Sequence, residues 1–164
     1  MEATAAREVL RITEAALEMF DEQDPMGARW RVMWTAAVSL LRSIGHTLEK
    51  VDRATGPELA AAIDDAWTVW KARRDEDAVF WFVEDARNLV LKQGTTYAKD
   101  GRGSVGQSIT ISVGSDHRVG YPVYDARFAD TDQKELLAMA VRWWHEQLDL
   151  IENDASSRAV RTVD

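Results

Sequence analysis

The chain has 164 residues, enough for one domain and too few for two ordinary ones, and its 46% hydrophobic and 29% charged residues are the balance of a folded globular protein. A net charge of −8 excludes a general nucleic-acid coat and binding to an anionic membrane surface, since both need a basic field, while a local contact with RNA stays open. With no cysteine there is no disulfide, no thiolate metal site and no Cys nucleophile.

In chain order, residues 3–20 set Val9, Ile12, Ala16, Leu17 and Phe20 at helical spacing, with Arg7, Arg11, Glu14 and Glu18 around the other side. The opening residues Met1-Glu-Ala-Thr-Ala-Ala-Arg-Glu lack a basic leader followed by an apolar core. No apolar run approaches the roughly 18 residues of a membrane span, so the expected location is the cytoplasm. Asp24-Pro25 then reads as N-cap and first helical residue of a long helix reaching about residue 52. Its core stripe is Trp30, Met33, Trp34, Ala37, Leu40, Leu41, Ile44, Leu48 and Val51. Thr35, Ser39, Arg42, His46, Glu49 and Arg53 line the opposite side, the pattern of a solvated face.

Thr55-Gly56-Pro57 breaks the chain, with Thr55 as cap of a third helix carried by Leu59, Ile63, Trp67 and Trp70. The charged run Lys71-Ala-Arg-Arg-Asp-Glu-Asp77 predicts a bend near Arg74-Asp75, after which Asp75 or Asp77 caps a fourth helix that stops at Gly94. This fourth segment is the most apolar in the protein. Val79, Phe82, Val83, Ala86, Leu89 and Val90 fill one broad face, and Glu84, Arg87 and Asn88 gather on the other between Phe80 and Leu91. Polar residues bracketed by large apolar ones imply a second contact, either another helix or another subunit.

Residues 95–129 change character. Glycines 101, 103, 106, 114 and 120 punctuate a stretch in which Ser108-Ile-Thr-Ile-Ser-Val113 alternates as a half-buried strand does. Gly114-Ser-Asp116 turns the chain and Val119-Gly-Tyr-Pro-Val-Tyr124 returns, Pro122 holding it at an edge. The hairpin, residues 107 to about 125, is expected to be more mobile than the helices because of its glycines. Asp130-Thr-Asp-Gln133 reads as a capping box for a fifth helix on Leu136, Leu137, Ala140, Val141, Trp144, Leu148 and Ile151, ending near residue 154 before a frayed tail of 155–164. The expected fold is therefore mainly α: a single domain over 1–154, a bundle of about five helices with a small β-hairpin inserted before the last. Seven tryptophans, all in helical segments, are expected as core or subunit-interface fillers.

Arg87-Asn88 followed by Lys92 is the sharpest polar constellation. It resembles the signature helix of HEPN domains, all-α bundles whose motif is an Arg, commonly followed by a polar residue, with a His four to six residues on. Leu41-Arg42-Ser-Ile-Gly-His46 with Leu48 is similar to the earlier long helix of such bundles. The phrase from Phe82 to Lys92 also resembles a group of bacterial proteins, a likeness that implies no activity. The HEPN resemblance implies a homodimer and, in active members, metal-independent RNA cleavage through the ribose 2′-hydroxyl, as in toxins and defence effectors. Arg87 would then steady the phosphorane charge, Asn88 would orient it, and two subunits would build one composite site.

Lys92 stands where the motif asks for His, and a lysine amine is almost wholly protonated at neutral pH, so it can stabilise charge or donate a proton but is a poor base. His46 is the substitute, because Arg42 and His46 share one face of their helix. The plainer reading of Glu84, Arg87 and Asn88 is a structural polar cluster, a buried ion pair plus amide that fixes helix register, with Glu84 on Arg87 at i, i+3.

His46, His117 and His145 show no helix-borne metal spacing, no metal or cofactor is expected, and Gly101-Arg-Gly-Ser-Val-Gly106 lacks the Lys-Ser/Thr of a phosphate loop. The leading expectation is a non-catalytic or degenerate HEPN-like interaction protein, dimeric, with a protein or RNA partner. The alternative is a HEPN-type endoribonuclease, and a third is a small-ligand binder walled by Trp34, Trp67 and Trp81.

Overall fold

The computed structural model describes residues 1–19, 28–93, 109–113, 116–120, 125–128 and 130–161. Five helices dominate them: α1 (Thr4–Glu18), α2 (Ala28–Lys50), α3 (Pro57–Ala72), α4 (Ala78–Gln93) and α5 (Gln133–Arg161). The class is mainly α, a helical bundle. Helix α5 packs on α1, α3, α4 and α2, while α2 packs on α1 and α4, so α2 and α5 form the spine of the molecule. No helix among the described residues is long and apolar enough to cross a membrane.

Each helix buries a stripe at three-to-four-residue spacing, but not always the expected one. In α2 the buried set is Trp30, Trp34, Ala37, Val38, Leu41, Ile44 and Leu48, close to expectation, with Val51 left exposed. Helix α1 is turned relative to its expected face. Ala3, Ala6, Leu10 and Thr13 are buried, whereas Ile12 is 48% exposed. The reason lies in what α1 packs against. Arg7 is anchored on α5 by Asp149 at 2.5 Å and Glu152 at 2.7 Å, and the backbone N–H groups of Ala5 and Ala6 are held by the Asp52 carboxylate beyond the end of α2. The Glu152 hydrogen bond is the main cause that raises the Arg7 pKa above its ordinary value.

Several boundaries also differ. Thr55 does not cap α3; it closes the 3-10 turn Asp52–Thr55 by donating to the Asp52 carbonyl, and Gly56 precedes Pro57 at the helix start. Asp77 does stand immediately before α4, yet its buried carboxylate accepts from Trp143 Nε1 at 3.0 Å on α5. At α5 the cap is Asp132, which accepts from the backbone N–H of Lys134 at 2.9 Å and of Glu135 at 3.4 Å, in place of an Asp130–Gln133 box. Nor does the chain fray after residue 154. Helix α5 continues to Arg161 because Ala155 is buried and Arg158 binds Asp154 on its own helix and Asp65 on α3.

Between α4 and α5 the described backbone comprises two short segments, β1 (Ile109–Val113) and β2 (Asp116–Gly120), paired antiparallel with Ile109 opposite Gly120. The expected turn at Gly114, the edge role of Pro122, the αL cap at Gly94, the N-cap Asp24 and the Phe20 contact lie outside the described residues.

The tryptophans are core fillers, in two groups. Trp34 stacks on Trp30 at 5.5 Å and meets Phe82 edge-on. Trp67, Trp70, Trp81, Trp143 and Trp144 surround Phe80, each with its ring centre within 5.8 Å of that of Phe80. Phe80 was expected beside the polar face of α4 but is buried here, drawn in by five indoles that together offer more apolar contact than any single helix neighbour. Trp34 thus belongs to a different cluster from Trp67 and Trp81. The rings pack on one another where a shared ligand pocket was conceivable.

Candidate functional site

Helices α2 and α4 lie side by side, and the groove between them gathers Ser39, Arg42, Ser43 and His46 from α2 with Arg87 and Leu91 from α4. Its volume is about 320 Å³. The i, i+3/i+4 spacing of 39, 42, 43 and 46 puts these four side chains on one flank of α2, and Arg87 and Leu91, four apart, answer them from α4. Residues expected as an ordinary solvated face are thus one wall of a groove.

The carboxylate partner is not the one expected. Glu84 Oε2 lies 2.5 Å from Arg42 Nε, joining α4 to α2, and both side chains are about three-quarters buried. Arg87 Nη1 donates to the neighbouring Asn88 Oδ1 at 3.0 Å, and no carboxylate binds Arg87 among the described residues. The i, i+3 pairing of Glu84 with Arg87 is displaced because Arg42 approaches Glu84 from the facing helix. A guanidinium 2.5 Å away across a half-dry contact wins over one that must fold back along its own helix and lose side-chain entropy. Arg42 Nη1 is itself buried and has no hydrogen-bond acceptor among the described residues.

His46 is exposed on the groove wall, with no hydrogen bond to another described residue. Lys92 is exposed on the last turn of α4 and is not among the lining residues. The structure therefore gathers Arg87, His46 and Arg42, keeps Asn88 as a partner of Arg87, and leaves Lys92 outside. No group of three His, Asp or Glu that could hold a metal occurs among the described residues.

A second groove, of about 520 Å³, runs between α2 and α3 and is lined by Arg42, Glu49, Arg53, Asp64, Trp67, Thr68 and Lys71. Arg42 belongs to both grooves. Here Arg53 binds Asp64 through two hydrogen bonds of 3.0 and 2.8 Å, which hold the Asp64 carboxyl below the usual carboxylate range. Sequence reasoning gave Lys71 no role beyond the charged run and missed this groove. The available signal was the Trp67–Lys71 spacing of four, which puts an indole and an ammonium on one face of α3.

Chemically the first groove offers the Arg87 guanidinium, two hydroxyls and an imidazole, beside an Arg42 already paired with Glu84. That set suits an anion carrying several oxygens. Comparison with protein-family models, curated proteins and solved structures finds no match for this chain.

Proposed function

We propose that the α2–α4 groove binds the phosphodiester of RNA and that the protein is a metal-independent endoribonuclease of HEPN type. The observation that supports this most is that Arg87 and His46 line one groove while Arg87 has no carboxylate among the described residues. An Arg sequestered by Glu84 would be poorly placed to receive a phosphate; an Arg held only by an amide keeps most of its five donors available.

In the proposed reaction His46 takes the proton of a ribose 2′-hydroxyl, and that oxygen attacks the adjacent phosphorus. The bond to the 5′-oxygen breaks, the imidazolium returns its proton to the leaving oxygen, and the products end in a 2′,3′-cyclic phosphate and a 5′-hydroxyl. Arg87 stabilises the charge that gathers on the phosphoryl oxygens, Asn88 fixes the Arg87 guanidinium, and Arg42, paired with Glu84, fixes α2 against α4.

A second reading, the non-catalytic interaction protein, draws on Lys92 at the position where the family motif carries His. Both readings take the protein as a homodimer. The support is apolar surface next to the groove: Leu91 is 61% exposed on α4, and Val32, 65% exposed, lines with Ala36 and Thr35 a patch that meets the groove at Ser39. The β-hairpin insertion of 95–129 belongs to the proposed architecture as an excursion from the bundle.

The deciding experiment incubates purified protein with total RNA in excess EDTA. Cleavage with cyclic phosphate ends is expected, reduced roughly 100-fold or more in Arg87→Ala and in His46→Ala. Intact RNA with the wild-type protein, or cleavage that neither substitution slows, would overturn the nuclease assignment of this groove.

A further inference from the structure

Arg42 stands in the walls of both grooves, so the α2–α4 and α2–α3 grooves adjoin at its side chain. The second groove carries three cations, Arg42, Arg53 and Lys71, against two carboxylates, Glu49 and Asp64, a local positive excess on a chain whose net charge is −8. Of these, Arg53 and Asp64 are committed to each other, Glu49 has Lys50 at 3.3 Å, and Arg42 is committed through Nε to Glu84. Lys71 is exposed and forms no ion pair among the described residues. It is the cation free to take a new anion.

Trp67 lies beside Lys71 on the same wall. Its ring is part-buried against Trp70 and Phe80, and its Nε1 is buried with no acceptor among the described residues, so what the indole presents to the groove is carbon surface. A flat apolar surface next to a free ammonium matches a nucleotide, whose base stacks on an aromatic ring while its phosphate meets a cation.

We infer that the α2–α3 groove seats the nucleotide adjoining the one bound in the α2–α4 groove, its base on Trp67 and its phosphate on Lys71, so that a single strand of RNA crosses the protein over Arg42. Adjacency of the two grooves at Arg42 favours a strand over a free mononucleotide or inorganic phosphate, which would fill either groove alone. This inference rests on the reading of the first groove as a phosphodiester site, and its test keeps the two separable. Duplex RNA is not the ligand, because its bases are stacked on each other and have no free face to offer.

The test titrates the full chain with fluorescent, 2′-O-methylated RNA, which cannot be cleaved, as a dinucleotide and as a hexanucleotide. Lys71→Ala is expected to weaken hexanucleotide binding about fivefold and to lower the slope of log affinity against log salt by about 0.7, one phosphate contact on a single strand. The dinucleotide, whose single phosphodiester lies in the first groove and which lacks the phosphate assigned to Lys71, should bind the Lys71→Ala variant as it binds the wild type. Trp67→Phe, which retains an aromatic surface, should keep hexanucleotide affinity, and Trp67→Leu should lose it. Equal affinity and equal slope for wild type and Lys71→Ala overturn the strand path, even where Arg87→Ala abolishes cleavage and so upholds the nuclease reading. Lys71-dependent binding by a wild-type protein that cleaves nothing keeps the path and removes the nuclease. Competition by millimolar inorganic phosphate that Lys71→Ala abolishes, with hexanucleotide binding unchanged, assigns the groove to a free anion and overturns the strand. A wild type that binds neither RNA overturns both.

Discussion

Gly45 on α2 lies against Trp144 of α5: a Cβ there would stand 3.0 Å from Trp144 Cη2 and 3.6 Å from Arg42 Nη1. Two effects of Gly45→Ala oppose each other. Alanine favours the helix over glycine by about 1 kcal/mol, while overpacking a filled core costs about 1–3 kcal/mol. Trp144 decides the sign, because it is fully buried and touched by Trp70, Phe80 and Trp143, so it has nowhere to retreat. Gly45→Ala is expected to lower the melting temperature by a few degrees; a rise would mean that Trp144 has slack. In the sequence Gly45 is visible only as a helix-weakening residue between Ile44 and His46, and nothing local names the indole it makes room for. The same limit applied to Glu84. Its i, i+3 neighbour Arg87 was legible, but its true partner Arg42 is 42 residues away and became available only when α2 and α4 came together.

At the scale of elements, α1 shows one segment completing another. Its N-terminus has no side-chain cap of its own. Asp52, buried in the 3-10 turn after α2, supplies the cap instead: its two carboxylate oxygens accept from the backbone N–H of Ala5 at 2.9 Å and of Ala6 at 2.8 Å. These are the orphan donors that an N-cap side chain would satisfy from within the same helix. Asp52→Ala should therefore cost about 1–3 kcal/mol, read as a lower urea midpoint with unchanged slope. Asp52→Asn, which keeps one acceptor oxygen, should recover part of the loss. An unchanged midpoint in Asp52→Ala would mean that α1 contributes nothing to the stability of the bundle. The five helices themselves were legible because each carries an apolar stripe at helical spacing over 15 residues or more. Which face of α1 is buried was not, since Ile12 and Val9 look like better core residues than Ala3 and Ala6 until Arg7 is known to bind α5 and Asp52 to hold the start of α1.

For the molecule as a whole, the exposed Leu91 and Val32 lie on the two helices that build the first groove. The proposed homodimer covers this surface, and Leu91→Glu should then shift the mass measured by light scattering at micromolar concentration from two chains toward one. A monomeric wild type under those conditions would sink the dimer. The groove offers a way to tell dimer formation from chemistry, because Arg87→Ala should leave the mass unchanged while removing cleavage.

The sequence by itself determined the helical class, the number of helices, the buried stripe of α2 and the core role of the tryptophans. It could do so because helical periodicity and indole area are local properties that survive in almost any packing. It also singled out Arg87, Asn88 and His46, though as members of faces whose surroundings it could not supply. Only the tertiary structure decided that Glu84 binds Arg42, that Arg87 is left to Asn88, that Asp52 caps a helix 47 residues before it, and that Arg42 stands between two grooves. Each of these depends on which helices become neighbours and at what distance. That is settled by the summed burial of the bundle, Trp144 against Gly45 and Phe80 among its indoles, before any single charged side chain can choose a partner.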